Sequence, residues 1–313
     1  MASAFEVTIL GCSSATPTSK RFPTSQLLNI AERFFLIDCG EATQIQLRRY
    51  HIRFQRINHI FISHLHGDHY LGLMGLLSSL HLLGRKKSLH IYHPPGLKKI
   101  IDLQLELSGT ILNYEITWHE HNLEKPTLIY EDQIMTVETV ILYHRIPCCG
   151  FIFREKPRPY SLDKEKLVEM NIPRHVIPAI KKGHDAVLDD GTVIPNLQLT
   201  LGSQKARSYA FCSDTRYDQR VIDAVKGVDM LYHEATFMHE LLDRAITTFH
   251  TTAKEAGMVA KAAGVGKLII GHYSVRYTDL RPLLNETQTE FSATELAEEG
   301  SRFNIPEQLI VKK

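Results

Sequence analysis

The sequence predicts an α/β fold, a four-layer αββα sandwich of two mixed β-sheets face to face with helices on both outer faces. Three observations carry that reading. Apolar strand-like runs alternate with helical patterns through both halves of the chain. Polar, ligand-type residues fall where several of these runs end, which is where layered α/β proteins collect their sites. And 313 residues, 43% hydrophobic and 23% charged, suffice for a sizeable core in one large domain.

Taken in order, residues 5–10 and 34–37 read as strands, with a loop rich in Ser, Thr and Pro between them. Residues 41–50 read as a helix. Residues 57–62, Ile-Asn-His-Ile-Phe-Ile, form an apolar, β-branched run of buried-strand type. A buried helix begins at 70–77, a strand follows at 89–92, and a helix at 96–107 starts after Pro94-Pro95. Residues 115–118 and 134–143 are further strands. The pattern breaks at 155–199, which holds Pro157, Pro159, Pro173, Pro178 and Pro195 and one basic, weakly helical piece at 163–170. Strands resume at 208–212, 230–232 and 268–270, with helices at 219–225, 252–263 and 279–298. Because strands resume so cleanly, the break is read as an arm inserted at about 155–200 into a single domain spanning 1–313.

Composition excludes several classes. No run is apolar enough for a membrane helix, and residues 1–7 lack the basic-then-apolar order of a secretory signal. Cys12, Cys39, Cys148, Cys149 and Cys212 form no CxxC pair, and an odd count without a framework points to reduced thiols in the cytoplasm. Net charge is only +1. Locally, residues 154–182 carry eight basic side chains against four acidic ones, a pattern that a solvated loop also gives.

The chemistry concentrates in Ser63-His64-Leu65-His66-Gly67-Asp68-His69, between the 57–62 strand and the next helix. With 17 histidines in the chain, chance clustering is expected; three histidines and an aspartate within six residues at a strand-to-helix junction are another matter. His64 and His66, two apart on extended chain, project to one side. Asp68 and His69 follow a glycine that lets the backbone turn toward a second point. Imidazole and carboxylate donors suit zinc first, with manganese and iron as alternatives, and four ligands in so short a loop fit two metals better than one. His144, Asp214 and His272 lie at other strand ends. Each alone reads equally well as a cap or a satisfied polar group. Together they add one imidazole per metal and a carboxylate to bridge them, and two metals about 3.5–4 Å apart suit hydrolysis of a phosphoryl or acyl group.

HxHxDH, then His144, Asp214 and His272, resembles the metallo-β-lactamase superfamily. Within it the chain is similar to the ribonuclease Z family, endonucleases that remove 3′ trailers from precursor tRNA. The narrower likeness rests on Phe35-Leu36-Ile37-Asp38-Cys39-Gly40-Glu41-Ala42-Thr43-Gln44, His233-Glu234-Ala235-Thr236-Phe237, Phe249-His250-Thr251-Thr252 and Gly271-His272-Tyr273-Ser274-Val275-Arg276-Tyr277. The resemblance implies a metallo-β-lactamase fold with two zinc ions per subunit. His64, His66 and His144 would hold one, and Asp68, His69 and His272 the other, with Asp214 bridging. Asp68 would orient or deprotonate the attacking water, and Glu234 with His250 would protonate the departing 3′ oxygen. The arm would be an exosite for precursor tRNA across a cytoplasmic homodimer, through Arg154, Lys156, Arg158, Arg174, Lys181 and Lys182.

Two stretches depart from the family pattern. The arm tip has Ile172-Pro173-Arg174-His175-Val176-Ile177-Pro178 in place of a Gly-Pro turn, and Thr16-Pro17-Thr18-Ser19-Lys20-Arg21-Phe22 replaces Pro-x-Lys-x-Arg-Asn. The alternative reading is a small-molecule esterase or phosphodiesterase, arylsulfatase-like, which needs the same metals but no arm. An RNA-binding protein that does not cut is disfavoured because all seven ligand positions are filled.

Overall fold

In a computed structural model that describes residues 3–310, the chain starts a first sheet with β1 (Phe5–Gly11), β2 (Ser25–Ile30) and β3 (Arg33–Ile37). Helix α1 (Thr43–Arg49) follows, then β4 (Ile57–Phe61), α2 (Gly67–Tyr70), α3 (Leu73–Leu82), β5 (Leu89–His93), α4 (Leu97–Leu107) and β6 (Ile116–Glu120). The second sheet begins with β7 (Leu128–Glu131), β8 (Met135–Leu142) and β9 (Cys148–Glu155). The insertion holds α5 (Lys164–Glu169), α6 (Ile177–Lys181), β10 (Ala186–Val187), β11 (Val193–Ile194), α7 (Asn196–Leu199) and β12 (Ser203–Gln204). Then come β13 (Ser208–Cys212), α8 (Gln219–Ala224), β14 (Met230–Glu234), α9 (Leu242–Thr248), α10 (Ala253–Ala263), β15 (Leu268–Gly271) and α11 (Arg281–Glu290). β16 (Thr294–Leu296), β17 (Arg302–Asn304) and β18 (Leu309–Ile310) complete the described chain.

The first sheet runs β17-β1-β2-β3-β4-β5-β6 and the second β16-β15-β14-β13-β9-β8-β7. In the first, β3 to β6 are parallel and the rest antiparallel. In the second, β13 to β16 are parallel and β7, β8 and β9 join antiparallel. Strand periodicity sets the layers. On β3, Phe35 and Ile37 enter the core between the sheets with Phe61, Phe151 and Phe153, while Leu36 faces the other way to pack with Leu73, Leu76 and Leu80 of α3. Helix α10 covers the second sheet through Ala256, Val259 and Ala260. It starts at a Thr252–Glu255 capping box and stops at Gly264, whose φ of 63° only glycine adopts without cost. The four-layer αββα sandwich expected from the sequence is the fold observed.

The differences have local causes. β2 lies inside the expected 11–33 loop, disguised by polar residues: Ser25 and Gln26 are buried, and Gln26 accepts from the Tyr209 hydroxyl of the opposite sheet. β9 is central and buried on both faces, so it has no alternation to read. The expected 279–298 helix ends at Glu290, and the chain returns as edge strand β16.

The arm, anticipated without a core, has one. Val176, Ile180, Ala186 and Leu199 are buried together, with Leu162, Leu167, Met170, Ile172 and Ile194 against them. Asn196 ties the piece by donating to the carbonyls of Ile180 (2.7 Å) and His184 (3.0 Å). At its base Arg207, 3% exposed, donates to both oxygens of Glu155 (2.7 and 2.8 Å). Arg158 bridges Glu155 (2.6 Å) to Glu307 (2.7 Å). Removing one partner of such a buried pair costs about 3–5 kcal/mol, so the arm leaves the sheet in a fixed direction.

His59 of β4 sits between the sheets, stacked on Phe35 and His90 with Tyr130 edge-on, and its Nδ1 is buried without a partner. Burial, with His90 and His119 adding to it, pushes its pKa down from 6.5 to about 4. The unfolded chain takes up this proton near 6.5 and the folded chain only near 4, so stability falls as pH drops across that window. His59→Phe keeps the stack and removes the proton. Its thermal midpoint should therefore fall less than the parent's between pH 7 and pH 4.5, as followed by circular dichroism.

Candidate metal centre and active site

Every expected ligand stands at a carboxyl end of a strand, where the two sheets meet a cleft of about 620 Å³. The loop after β4 supplies His64 and His66, and α2 supplies Asp68 and His69. Gly67 makes no left-handed turn here; it opens α2, and the helix start re-aims Asp68 and His69. His144 follows β8, Asp214 follows β13 and His272 follows β15. Asp38, Asp214 and His272 all have left-handed backbones, with φ of 55°, 49° and 56°. Such strain at three strand exits is a mark of functional sites.

The expected ligands form two donor sets, His64, His66, His144 and Asp214, and Asp68, His69 and His272, each with ligand atoms within 4.8 Å of one another, and a third grouping places His250 with Asp214 and His272. Asp214 reaches both, lying 3.7 Å from His64 and His144 through Oδ2 and 3.1–3.2 Å from His69 and His272 through Oδ1.

The hydrogen bonds behind these rings decide where their protons sit. Asp38 accepts from Ser63 N–H (2.8 Å), Ser63 Oγ–H (2.9 Å) and His69 Nδ1–H (2.6 Å). With its only proton on Asp38, Ser63 Oγ accepts from His64 Nδ1–H at 3.0 Å. The Phe249 carbonyl accepts from His144 Nδ1–H at 3.1 Å. Thr236 Oγ–H points to Glu234, so Thr236 accepts from His272 Nδ1–H at 3.1 Å. In all four rings Nδ1 is therefore the atom tied to the protein, and Nε2 is the atom turned to the cleft. His64 Nε2 and His144 Nε2 each lie 3.0 Å from the same atom, His66 Nδ1, which can give a proton to only one of them. His69 Nε2 is buried without a hydrogen bond and faces oxygens of Asp68 and Asp214. Lone pairs facing lone pairs and carboxylates call for positive charge, and the neutral N/O donor set fits a divalent cation.

The titration directions agree for three rings and differ for His69, which takes up a proton beside its carboxylates when no cation stands between them. Burial lowers His64, His66 and His144, keeping them in the neutral, ligating form. Burial also lowers His69, but Asp214, Asp68 and Asp38 outweigh it and raise this ring well above the usual range. Burial raises Asp68 and Asp214, yet the surrounding histidines hold both well below it.

Beside the donors, Glu234 is fully buried at the end of β14 and accepts from Thr215 N (2.6 Å), Thr236 Oγ (2.5 Å) and Thr251 N (3.1 Å). Burial works against its charge, but His250, whose Nδ1 stands 3.0 and 3.1 Å from its oxygens, holds the Glu234 carboxyl below the usual range. Burial works against a charge on His250, but Glu234 overcomes it and lifts the pKa to about 9. A cleft-lining imidazole that keeps its proton at neutral pH is equipped as a general acid.

The expected arm residues are placed less uniformly. Arg154 lies in β9, Lys156 pairs with Glu131 and Arg158 with Glu155 and Glu307, whereas Arg174, Lys181 and Lys182 are exposed on the arm. Sequence reasoning assigned no role to Asp38, Ser63, Thr236 or the Phe249 carbonyl. Asp38 and Ser63 could have been found, since both lie inside the motifs and carry polar groups at buried strand ends.

These features define a metallo-β-lactamase-fold protein with a divalent metal site. A family model described as anti-Pycsar protein Apyc1 matches residues 5–291. A ribonuclease Z of Bacteroides thetaiotaomicron is 48% identical over 301 residues, covering 96% of this chain and 95% of the relative. One of Cytophaga hutchinsonii is 47% identical over 306 residues, 97% of each. The crystal structure of human tRNase Z, short form, aligns over 96% of this chain and 99% of its own at 26% identity, with a TM-score of 0.69. The chain belongs to the ribonuclease Z family.

Because Asp38 sets the proton on His69, Asp38→Asn should weaken divalent-metal affinity by roughly 10–100-fold while the fold persists. Chelator competition gives the affinity, and circular dichroism separates that loss from unfolding.

Proposed function

We propose that this chain is a zinc-dependent endoribonuclease that removes 3′ trailers from precursor tRNA. The observation that carries this is the protonated His250–Glu234 pair beside the double donor set. Phosphodiester hydrolysis with an alkoxide leaving group needs an acid as well as a nucleophile. The printed names of the relatives at 44–48% identity, ribonuclease Z, support the same reading.

Two zinc ions would be held, one by His64, His66 and His144, the other by Asp68, His69 and His272, with Asp214 in reach of both sets. When bound, they supply Lewis-acid polarisation of a phosphoryl group and a lowered pKa for water. Asp68, steadied by the Ala15 N–H at 2.8 Å, orients the attacking water and takes its proton. The water oxygen bonds to phosphorus, the bond to the 3′ oxygen breaks, and His250 gives that oxygen its proton. The tRNA keeps a 3′ hydroxyl and the trailer a 5′ phosphate.

The chain folds as one domain, and the arm, with Arg174, Lys181 and Lys182 exposed, acts as the tRNA exosite. Assembly is a homodimer. Ile100, Leu103, Leu107 and Ile111 form an apolar stripe along and beyond α4, 38–86% exposed, a face suited to a second copy. Five free, buried cysteines suit the cytoplasm, and no helix among the described residues is long and apolar enough to cross a membrane.

End-labelled precursor tRNA should be cut once near the discriminator base. Chelator should abolish the cut and added zinc restore it, and His66→Ala should lower the rate by at least about 10³-fold. Unchanged cleavage by His66→Ala would overturn the mechanism.

The rival, a small-molecule esterase or phosphodiesterase, needs no arm. Ser161 N donates to the Gly202 carbonyl at 2.9 Å, so residues 162–201 can be replaced by a glycine turn. That variant should lose precursor tRNA cleavage yet hydrolyse bis(p-nitrophenyl) phosphate. Equal retention of both substrates would favour the rival.

A further inference from the structure

Arg145, Arg244 and Arg276 line the cleft, and Arg216 stands beside it on the rings of Tyr143 and Phe249. Arg158, Arg207, Arg220 and Arg281 each rest on a carboxylate. Arg145, Arg216, Arg244 and Arg276 take part in no ion pair among the described residues. Three of the four stand on aromatic rings instead. Arg244 and Arg276 lie over Phe237, 5.8 and 5.4 Å from its centroid. Arg216 lies over Tyr143 at 5.3 Å and Phe249 at 5.6 Å.

The supporting rings are part of the site's frame. Phe237 lies 6.2 Å from the His250 ring. Tyr143 precedes His144 in the chain, and Phe249, edge-on to Tyr143, lends its carbonyl to His144 and precedes His250. The backbone fixes Arg216 as well, since its N–H donates to the Tyr143 carbonyl at 3.0 Å and Tyr143 N–H donates to Thr215 Oγ at 3.1 Å. A guanidinium flat on a ring keeps its edge donors free and loses little freedom when it binds. The ligand matched by such a fork, beside a site for phosphodiester chemistry, is a backbone phosphate.

We propose that Arg216 on Tyr143–Phe249 and Arg244 on Phe237 are two phosphate clamps, holding the RNA backbone at the phosphates that flank the scissile one. This rests on the endoribonuclease reading and adds the positioning residues. Loss of either clamp acts on substrate placement, so it should burden an RNA chain far more than a small phosphodiester.

The test uses zinc-loaded protein and three variants, Arg216→Ala, Arg244→Ala and Phe237→Leu, with Arg216→Lys as the charge-keeping control. Binding of a fluorescent RNA hairpin with a 3′ tail, made uncleavable by a methylene in place of the bridging 3′ oxygen, is titrated from low to moderate salt. Each alanine variant should shrink the slope of log K against log salt by about one, the value for one phosphate contact. Arg216→Lys should restore the slope but not the full affinity. For the cleavable precursor, the KM increase should exceed the kcat decrease. The ratio of kcat/KM for RNA to that for bis(p-nitrophenyl) phosphate should fall by roughly tenfold, the usual effect of one lost charge-assisted contact. An unchanged salt slope, or proportional losses on both substrates, would overturn the clamps. If the parent protein binds the hairpin with the expected slope but leaves precursor tRNA intact, the substrate reading fails and the clamps stand.

Discussion

The carboxylate of Asp38 takes three hydrogen bonds in a space closed to water, and the rest of the site is arranged around that fact. Its acceptance of His69 Nδ1–H and Ser63 Oγ–H fixes one tautomer directly and, through Ser63, that of His64. Burial pushes the Asp38 carboxyl up, while His69 and the two Ser63 donors pull it down. The side chain reaches that point only because the backbone turns left-handed as it leaves β3. A residue that touches no ion thus decides which ring atoms an ion meets.

Much of this was legible in the sequence. The clustering of donor residues was, because polar residues at strand ends abut apolar runs, as in Phe211-Cys212-Ser213-Asp214. The layered fold was, because β3, β4 and β13 to β15 are short apolar runs separated by helices. Strand β2 was not, since its polar side chains are satisfied by a partner far away in sequence, Tyr209. Nor was the arm's core, because its elements are two to six residues long, too short to display a period. The orienting partners escaped for another reason: a serine, a threonine and a backbone carbonyl gain their roles only from three-dimensional neighbours.

The arm and the catalytic sheets meet through electrostatics of a different kind. Glu155 ends the strand that enters the insertion and Arg207 precedes the strand that leaves it, so their buried pair closes the insertion at its neck. Arg158 extends the pair to Glu307, whose carboxylate also accepts from Ser3 N–H at 3.0 Å. Ser3 near one end of the described chain and Glu307 near the other are thereby tied to the root of the arm.

The distribution of donors along the chain has a consequence for biogenesis. His64, His66, Asp68 and His69 arrive with the first sheet, whereas His144, Asp214 and His272 belong to the second. Neither donor set can close within one sheet. A chain still emerging from the ribosome, with β15 not yet made, holds an open pocket lacking His272. The Asp68, His69 and His272 set thus closes only once the two sheets have docked. A divalent ion held by either set would join parts of the chain more than 70 residues apart, so cofactor supply and folding quality would meet at a single place.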